Sequence, residues 1–148
     1  MNRSLAALIL LLLVCVWPVW ADTPIDPEQR YLAEIELHTA QEMQAILQRT
    51  EALLLQGAIP LDGEPRVAFV LHGPEVYILL RQNYLANKAV VDRAASLSAL
   101  GVVEIKACET WMGSKGIDPD QLQPFVATVP YGPAEKRRLV ERENFIRF

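Results

Sequence analysis

The chain lacks several patterns by which common protein classes are recognised. It has two cysteines and two histidines in 148 residues, and its 14 basic side chains form no run or stripe. Nucleic-acid binding is therefore not expected. The segment Leu71-His72-Gly73-Pro74 lacks the glycine spacing of a nucleotide site, and no serine lies in a nucleophile elbow. We expect the protein to work without a cofactor.

A long apolar run is present only at the N-terminus, where it predicts a secretory signal peptide. Arg3 supplies the basic start, residues 5–16 are apolar, and Pro18 ends the run. Val19 and Ala21 stand at the −3 and −1 positions of a cleavage site. The run is shorter than the roughly 18 residues that a spanning helix needs. We therefore predict cleavage after Ala21, a periplasmic or secreted protein, and no stable membrane insertion afterwards.

Two alternatives for the N-terminus are weaker. An uncleaved anchor would keep residues 1–21 in the membrane. A lipoprotein would be modified at Cys15, but Val14 stands where a small residue is needed and Cys15 lies deep in the apolar run.

Cleavage would leave one domain of 127 residues with a single cysteine, Cys108. The mature net charge would be −5, from 13 basic and 18 acidic side chains. A lone cysteine in an exported chain cannot form an internal disulfide, so it indicates an intermolecular bond or a reactive thiol. The alternative is a small buried hydrophobe, a common role of free cysteine.

The remaining pattern predicts an irregular lead-in over 22–30 and a single α/β domain over 31–148. Strands are expected at 31–37, 66–71, 102–107, 125–129 and 145–148, with helices at 40–56, 76–84, 88–100, 109–115, 118–123 and 133–143. Alternating strands and helices predict a mostly parallel five-stranded sheet with helices on both faces. We expect a flavodoxin-like three-layer α/β/α fold.

Three chemically versatile side chains each follow a predicted strand: His38, His72 and Cys108. In a parallel sheet the carboxyl ends of the strands meet at one edge, where ligands bind. A histidine there would favour the Cys108 thiolate, whereas the carboxylate of Glu109 would disfavour it. The alternative is that the two histidines simply begin loops.

Two further interpretations concern the surroundings of Cys108. Trp111 lies on the same helical face and is either a core residue or a lid over a ligand. Two histidines and one cysteine could also hold zinc or copper, but they are scattered along the chain, so we predict no metal site.

From residue 31 onward the chain resembles the DsrE/DsrF-like family. No single motif is specific, but the order and spacing of several are shared. These are His72-Gly73, Ala107-Cys108, Ile117 with Leu122, Val129-Pro130-Tyr131-Gly132 and Asn144-Phe145-Ile146.

The resemblance implies a flavodoxin-like fold and assembly into dimers, trimers or hexamers. In sulfur-relay members the cysteine after the third strand carries sulfur as a persulfide, and here that residue is Cys108. We expect His72 to serve as an acid/base or orienting group. Gly73 would allow close backbone approach, and Glu109, Trp111 and His38 are further candidates for binding.

The chain departs from the family in three respects. Glu109-Thr110 follows the cysteine where a small residue and asparagine are usual, Asn144 replaces a glycine, and a signal peptide is predicted. The first hypothesis is an exported sulfurtransferase or sulfur carrier with a separate donor or acceptor protein. The alternatives are a non-catalytic oligomeric module that binds a small molecule or metal, and a thiol that forms mixed disulfides with a redox partner.

The signal-peptide prediction is tested by the intact mass of the protein recovered from the periplasm or medium. We expect a chain that begins at Asp22. A mass that retains residues 1–21, or a lipid-modified N-terminus at Cys15, would contradict it.

Overall fold

The computed structural model describes residues 28–148, so the predicted signal peptide and most of the lead-in lie outside the described residues. The described part contains a five-stranded sheet in which every pairing is parallel and the strand order is 4-3-2-1-5. The strands are β1 (Tyr31–Ala33), β2 (Val67–Leu71), β3 (Val103–Cys108), β4 (Val126–Val129) and β5 (Ile146–Arg147).

Helical segments connect the strands. The α-helices are α1 (Ala40–Leu55), α2 (Lys88–Ala99), α3 (Glu109–Ser114) and α4 (Gly132–Glu143). Shorter 3₁₀ segments lie at Pro74–Leu79, Arg81–Asn83, Leu85–Asn87 and Pro119–Gln121. Within residues 28–148, none of the helices has the length and apolar character that crossing a bilayer requires.

Each face of the sheet has its own core, because successive side chains of a strand point to opposite faces. In β2, Val67, Phe69 and Leu71 join the larger core with α1, α2 and Met112 of α3. The intervening Ala68 and Val70 pack against Leu32, Leu139 and Phe145 beneath α4. All five residues of β2 are buried, as its continuous apolar run predicts.

The result is the predicted flavodoxin-like α/β/α arrangement, with α1, α2 and α3 on one face and α4 on the other. The strand order differs from the 2-1-3-4-5 order of flavodoxin itself. Because β3 is followed by a helix on one face and β4 by a helix on the other, a crevice forms between the carboxyl ends of these two strands.

The first predicted strand is too long, because β1 ends at Ala33 rather than at residue 37. The Glu42 carboxylate draws the chain out of the sheet by accepting the backbone N–H groups of Glu36 and Leu37, each at 2.8 Å. A threonine followed three residues later by glutamate, as at Thr39 and Glu42, is typical of a capping box. The Thr39 side chain does cap α1, but the Glu42 carboxylate bonds to the two N–H groups at 36 and 37 instead of returning to Thr39.

The helix predicted over 76–84 is also wrong in type. The segment forms 3₁₀ turns that are interrupted at Leu80, whose ψ of 137° is extended. Leu80 makes an isolated antiparallel bridge to Leu122. Tertiary pairing therefore overrides the local helical pattern at this point.

An ion-pair cluster anchors α4 to the sheet. Glu135 accepts hydrogen bonds from Arg138 of the same helix at 2.7 and 2.8 Å and from Lys106 of β3 at 2.9 Å. Arg138, and then Lys106, lower the pKa of Glu135 from 4.5 to about 2, against the opposing effect of burial. A lowered pKa means that the ionised carboxylate stabilises the fold above pH 4.5 and loses this effect as the pH falls toward 2.

We predict that Glu135→Gln lowers the free energy of unfolding by about 1–2 kcal/mol at pH 7. The difference from wild type should shrink as the pH falls from 4.5 toward 2, as measured by urea denaturation. Glu141→Gln is the matched control, because Glu141 is exposed on the same helix and has no ion pair within residues 28–148. A loss in the free energy of unfolding of Glu135→Gln that does not change with pH would contradict the prediction.

Candidate functional site

Cys108 is the last residue of β3 and the N-cap of α3. Its Sγ accepts the backbone N–H of Trp111 at 3.5 Å. Glu104 and Lys106 share the α4 face of β3 with Cys108, because Val103, Ile105 and Ala107 point to the larger core. The thiol is therefore held at the crevice between α3 and α4, with 2% of the residue exposed.

A cavity of about 250 Å³ lies at this crevice and has a mostly apolar wall. Cys108 and His72 both line it, which brings together two of the residues predicted to meet at the strand ends. The other lining residues are Thr110, Trp111, Ser114, Tyr131 and Pro133. The Thr110 backbone N–H and hydroxyl both donate to the carbonyl of Pro130, and these bonds fix α3 against the loop after β4.

Gly132 allows His72 and Cys108 to approach the start of α4. A Cβ on Gly132 would lie 3.0 Å from the Cβ of His72 and 3.2 Å from the Cβ of Cys108. Such contacts are closer than side chains normally tolerate, so the close packing of the three segments requires glycine here.

A third predicted residue, His38, is held by a buried carboxylate. His38 Nδ1 lies 2.5 Å from Glu75 Oε2, and only 2% of the Glu75 side chain is exposed. The rings of His38 and His72 are 6.4 Å apart and nearly perpendicular. The structure thus places both histidines at one edge of the sheet, although His38 lies five residues beyond the end of β1.

Glu75 also organises the turn after β2. Its Oε1 accepts the backbone N–H groups of His72 at 2.8 Å and Gly73 at 3.0 Å. A Cβ on Gly73 would lie 2.7 Å from Glu75 Oε2 and 2.8 Å from the His38 ring. Gly73 therefore permits the close approach of a carboxylate and an imidazole of the same chain.

The other two predicted residues differ in position. Trp111 lines the cavity, packs against the larger core and contacts Tyr77 edge to face at 5.5 Å. Glu109 turns away, since its carboxylate accepts the hydroxyl of Thr128 on β4 at 2.6 Å and it does not line the cavity.

The sequence interpretation missed Glu75 and Tyr131. An acidic residue in this position is typical of the first turn of a helix, whereas the Glu75 carboxylate reaches back to the strand end. A glutamate three residues after a strand-end residue has the spacing of the returning half of a capping box, which could have indicated this contact.

His72 also borders a second cavity of about 330 Å³ beside α4. Its charged lining comprises Glu34, Lys136, Arg137, Glu141 and Arg147. His72 therefore lines both a mostly apolar cavity at Cys108 and a cavity with charged residues in its lining. Within residues 28–148, no three His, Cys, Asp or Glu side chains are grouped closely enough to hold a metal ion.

In sequence comparisons, no family model and no curated protein matches the chain. Among solved structures, the chain is similar to a protein of unknown function from Methanobacterium thermoautotrophicum, with a TM-score of 0.53 and 20% identity. The match covers 80% of this chain and 93% of that chain. At this identity the likeness shows a shared α/β fold alone.

We predict that Gly73→Ala lowers the free energy of unfolding by about 1–3 kcal/mol, because the added methyl group overlaps Glu75 and His38. Chemical denaturation measures the effect. The control is Gly113→Ala in α3, where a Cβ meets nothing within 4 Å and no loss is expected. Equal stability of the two variants would show that the 73–75 turn is not tightly packed.

Proposed function

We propose that the protein is an exported DsrE-like sulfur carrier in which Cys108 accepts sulfane sulfur as a persulfide. The observation that carries this proposal is the position of Cys108. Its thiol lines a small cavity at the carboxyl edge of a parallel sheet, where the chain passes from one helix layer to the other.

The reaction requires only the thiolate and a sulfane donor. The Cys108 thiolate attacks the outer sulfur of the donor, an S–S bond forms at Cys108, and the donor's leaving group departs with the electron pair of its broken bond. A partner thiolate then attacks the outer sulfur of the persulfide, and Cys108 departs as thiolate. No oxidant is consumed in either step.

The surroundings of the sulfur suit this exchange. The Trp111 N–H that points at Sγ supports negative charge on sulfur. Glu109 is bonded to Thr128 on the edge strand, so its carboxylate does not occupy the cavity. His72 lines the same cavity, which supports a role in orienting a donor or exchanging a proton with it.

The remaining parts of the proposal rest on the predicted signal peptide and on the resemblance of the motif order to the DsrE/DsrF-like family. We propose a homo-oligomeric protein that acts in the periplasm or outside the cell, with a separate protein as sulfur donor or acceptor. An exported carrier would need partners that differ from those of cytoplasmic relays.

A second candidate function follows from the low exposure of Cys108. With 2% of the residue exposed, Cys108 could serve only as part of a cavity wall. The protein would then be a non-catalytic module that binds a small molecule between Trp111, Tyr131 and His72.

Intact mass after incubation with polysulfide or thiosulfate tests the first proposal. We expect one adduct of about +32 Da, the mass of one sulfur atom, that is removed by reductant. Cys108→Ser should give no adduct while keeping its circular dichroism spectrum. The variant tests the site directly, because Cys108 is the only free cysteine within residues 28–148.

The rate of alkylation separates the two candidate functions. A thiol that iodoacetamide reaches in the native protein agrees with a carrier. A thiol that is alkylated only after unfolding, together with no sulfur adduct, would overturn the carrier proposal and leave the binding module.

A further inference from the structure

The pair formed by His38 and Glu75 has no part in the sulfur chemistry proposed for Cys108. Glu75 is almost fully buried, yet its carboxylate is fully engaged by two backbone N–H groups on Oε1 and by His38 Nδ1 on Oε2. Burying a carboxylate is costly unless hydrogen bonds and a charged or polar partner compensate it. A buried carboxylate with three hydrogen-bond partners at the edge of the sheet indicates a role beyond packing.

The hydrogen-bond partners of the pair indicate the tautomer of the imidazole. With Glu75 as an ionised partner, which can only accept hydrogen bonds, Nδ1 carries the proton of the bond to Oε2. In the neutral imidazole this leaves Nε2 with its lone pair. Among the described residues Nε2 makes no hydrogen bond, and the His38 side chain is 35% exposed.

The backbone holds the imidazole in this position. His38 has a φ of +55°, in the left-handed region that costs free energy for residues other than glycine. The Thr39 cap of α1 follows at once, and the Glu42 carboxylate binds the two preceding N–H groups. Hydrogen bonds on both sides therefore fix the residue that presents Nε2.

We propose that His38 and Glu75 form a second reactive centre, an acid–base site distinct from Cys108. His38 Nε2 is its base, and Glu75 is a positioning residue that fixes the Nδ1–H tautomer. The base accepts the proton of an O–H or S–H group on a small molecule at the strand-end edge. An N–H bond forms, the O–H or S–H bond breaks, its electron pair stays on the oxygen or sulfur, and Glu75 balances the imidazolium charge.

The first test is the tautomer of His38 in the wild-type mature protein. The whole sequence contains only two histidines, so ¹⁵N-histidine labelling gives two sets of ring signals. His38→Asn assigns them, since asparagine tolerates a positive φ. At pH 8 we expect a proton on Nδ1 and an unprotonated Nε2 at His38. A proton on Nε2, or an unbiased mixture, would overturn the proposal.

Glu75→Gln provides a nearly isosteric test. The Gln carbonyl oxygen can keep both backbone N–H bonds, but its amide group then donates to Nδ1 and forces the proton to Nε2. We expect the tautomer to invert and acylation of His38 by diethyl pyrocarbonate to slow about tenfold or more. His72 is the internal reference. An unchanged tautomer and rate in folded Glu75→Gln would overturn the positioning role, and if this variant does not fold, the wild-type tautomer decides.

The same measurements in Cys108→Ser separate this centre from the sulfur carrier. We expect the His38 tautomer and its acylation rate to match those of wild type there, whether or not Cys108 accepts sulfur. Loss of the Nδ1–H tautomer in Cys108→Ser would show that the two centres are one and would overturn the proposal.

Discussion

The buried carboxylate of Glu75 is the constraint on which the strand-end edge depends. It joins two segments that are far apart in sequence, the turn after β2 and the loop before α1, through bonds to His72, Gly73 and His38. An apolar side chain of the same shape could satisfy none of these donors. Because a buried donor without a partner costs about 1–3 kcal/mol, loss of the carboxylate would release both segments.

The second constraint is the unequal division of helices between the two faces. Within residues 28–148, three α-helices cover one face over a large core, whereas α4 alone covers the other over a small cluster of apolar residues. Lys106 of β3 reaches Glu135 of α4 on this thinner side, so ion pairs supply part of the adhesion that apolar contacts supply on the other face. The same division opens the crevice between β3 and β4, and Cys108 occupies it because it is the last residue of β3.

The parts of the fold that were predictable from sequence are those governed by burial along one segment. The strands at 67–71, 103–108 and 126–129 lie within one residue of their predicted ends, because interior strands carry continuous apolar runs. The left-handed Asn144 that ends α4 was also predictable from residue type. Parallel pairing alone put His72 and Cys108 at one edge, because they stand at the ends of β2 and β3, whereas His38 lies beyond β1 and reaches this edge in contact with Glu75.

The failures arise where a distant group decides the local structure. Alternating apolar residues continued past Ala33, but a side chain of α1 takes the N–H groups that a longer β1 would have offered to a neighbour. Residues 76–84 had a helical pattern, but Leu80 pairs with Leu122 forty-two residues later. The role of Glu75 was hidden for the same reason, because its partner His38 lies thirty-seven residues earlier in the chain.

His72 determines how the two proposed centres relate to each other. Its ring lies 6.4 Å from that of His38, and the residue lines both the cavity of Cys108 and the charged cavity beside α4. Its backbone is held by Glu75 and its Cβ is packed against Gly132. Movement of His72 would therefore change the surroundings of both the Cys108 thiol and the His38–Glu75 pair. Glu75 and Gly132 therefore restrain, from two sides, the residue that lies between the cavity of Cys108 and the His38–Glu75 pair.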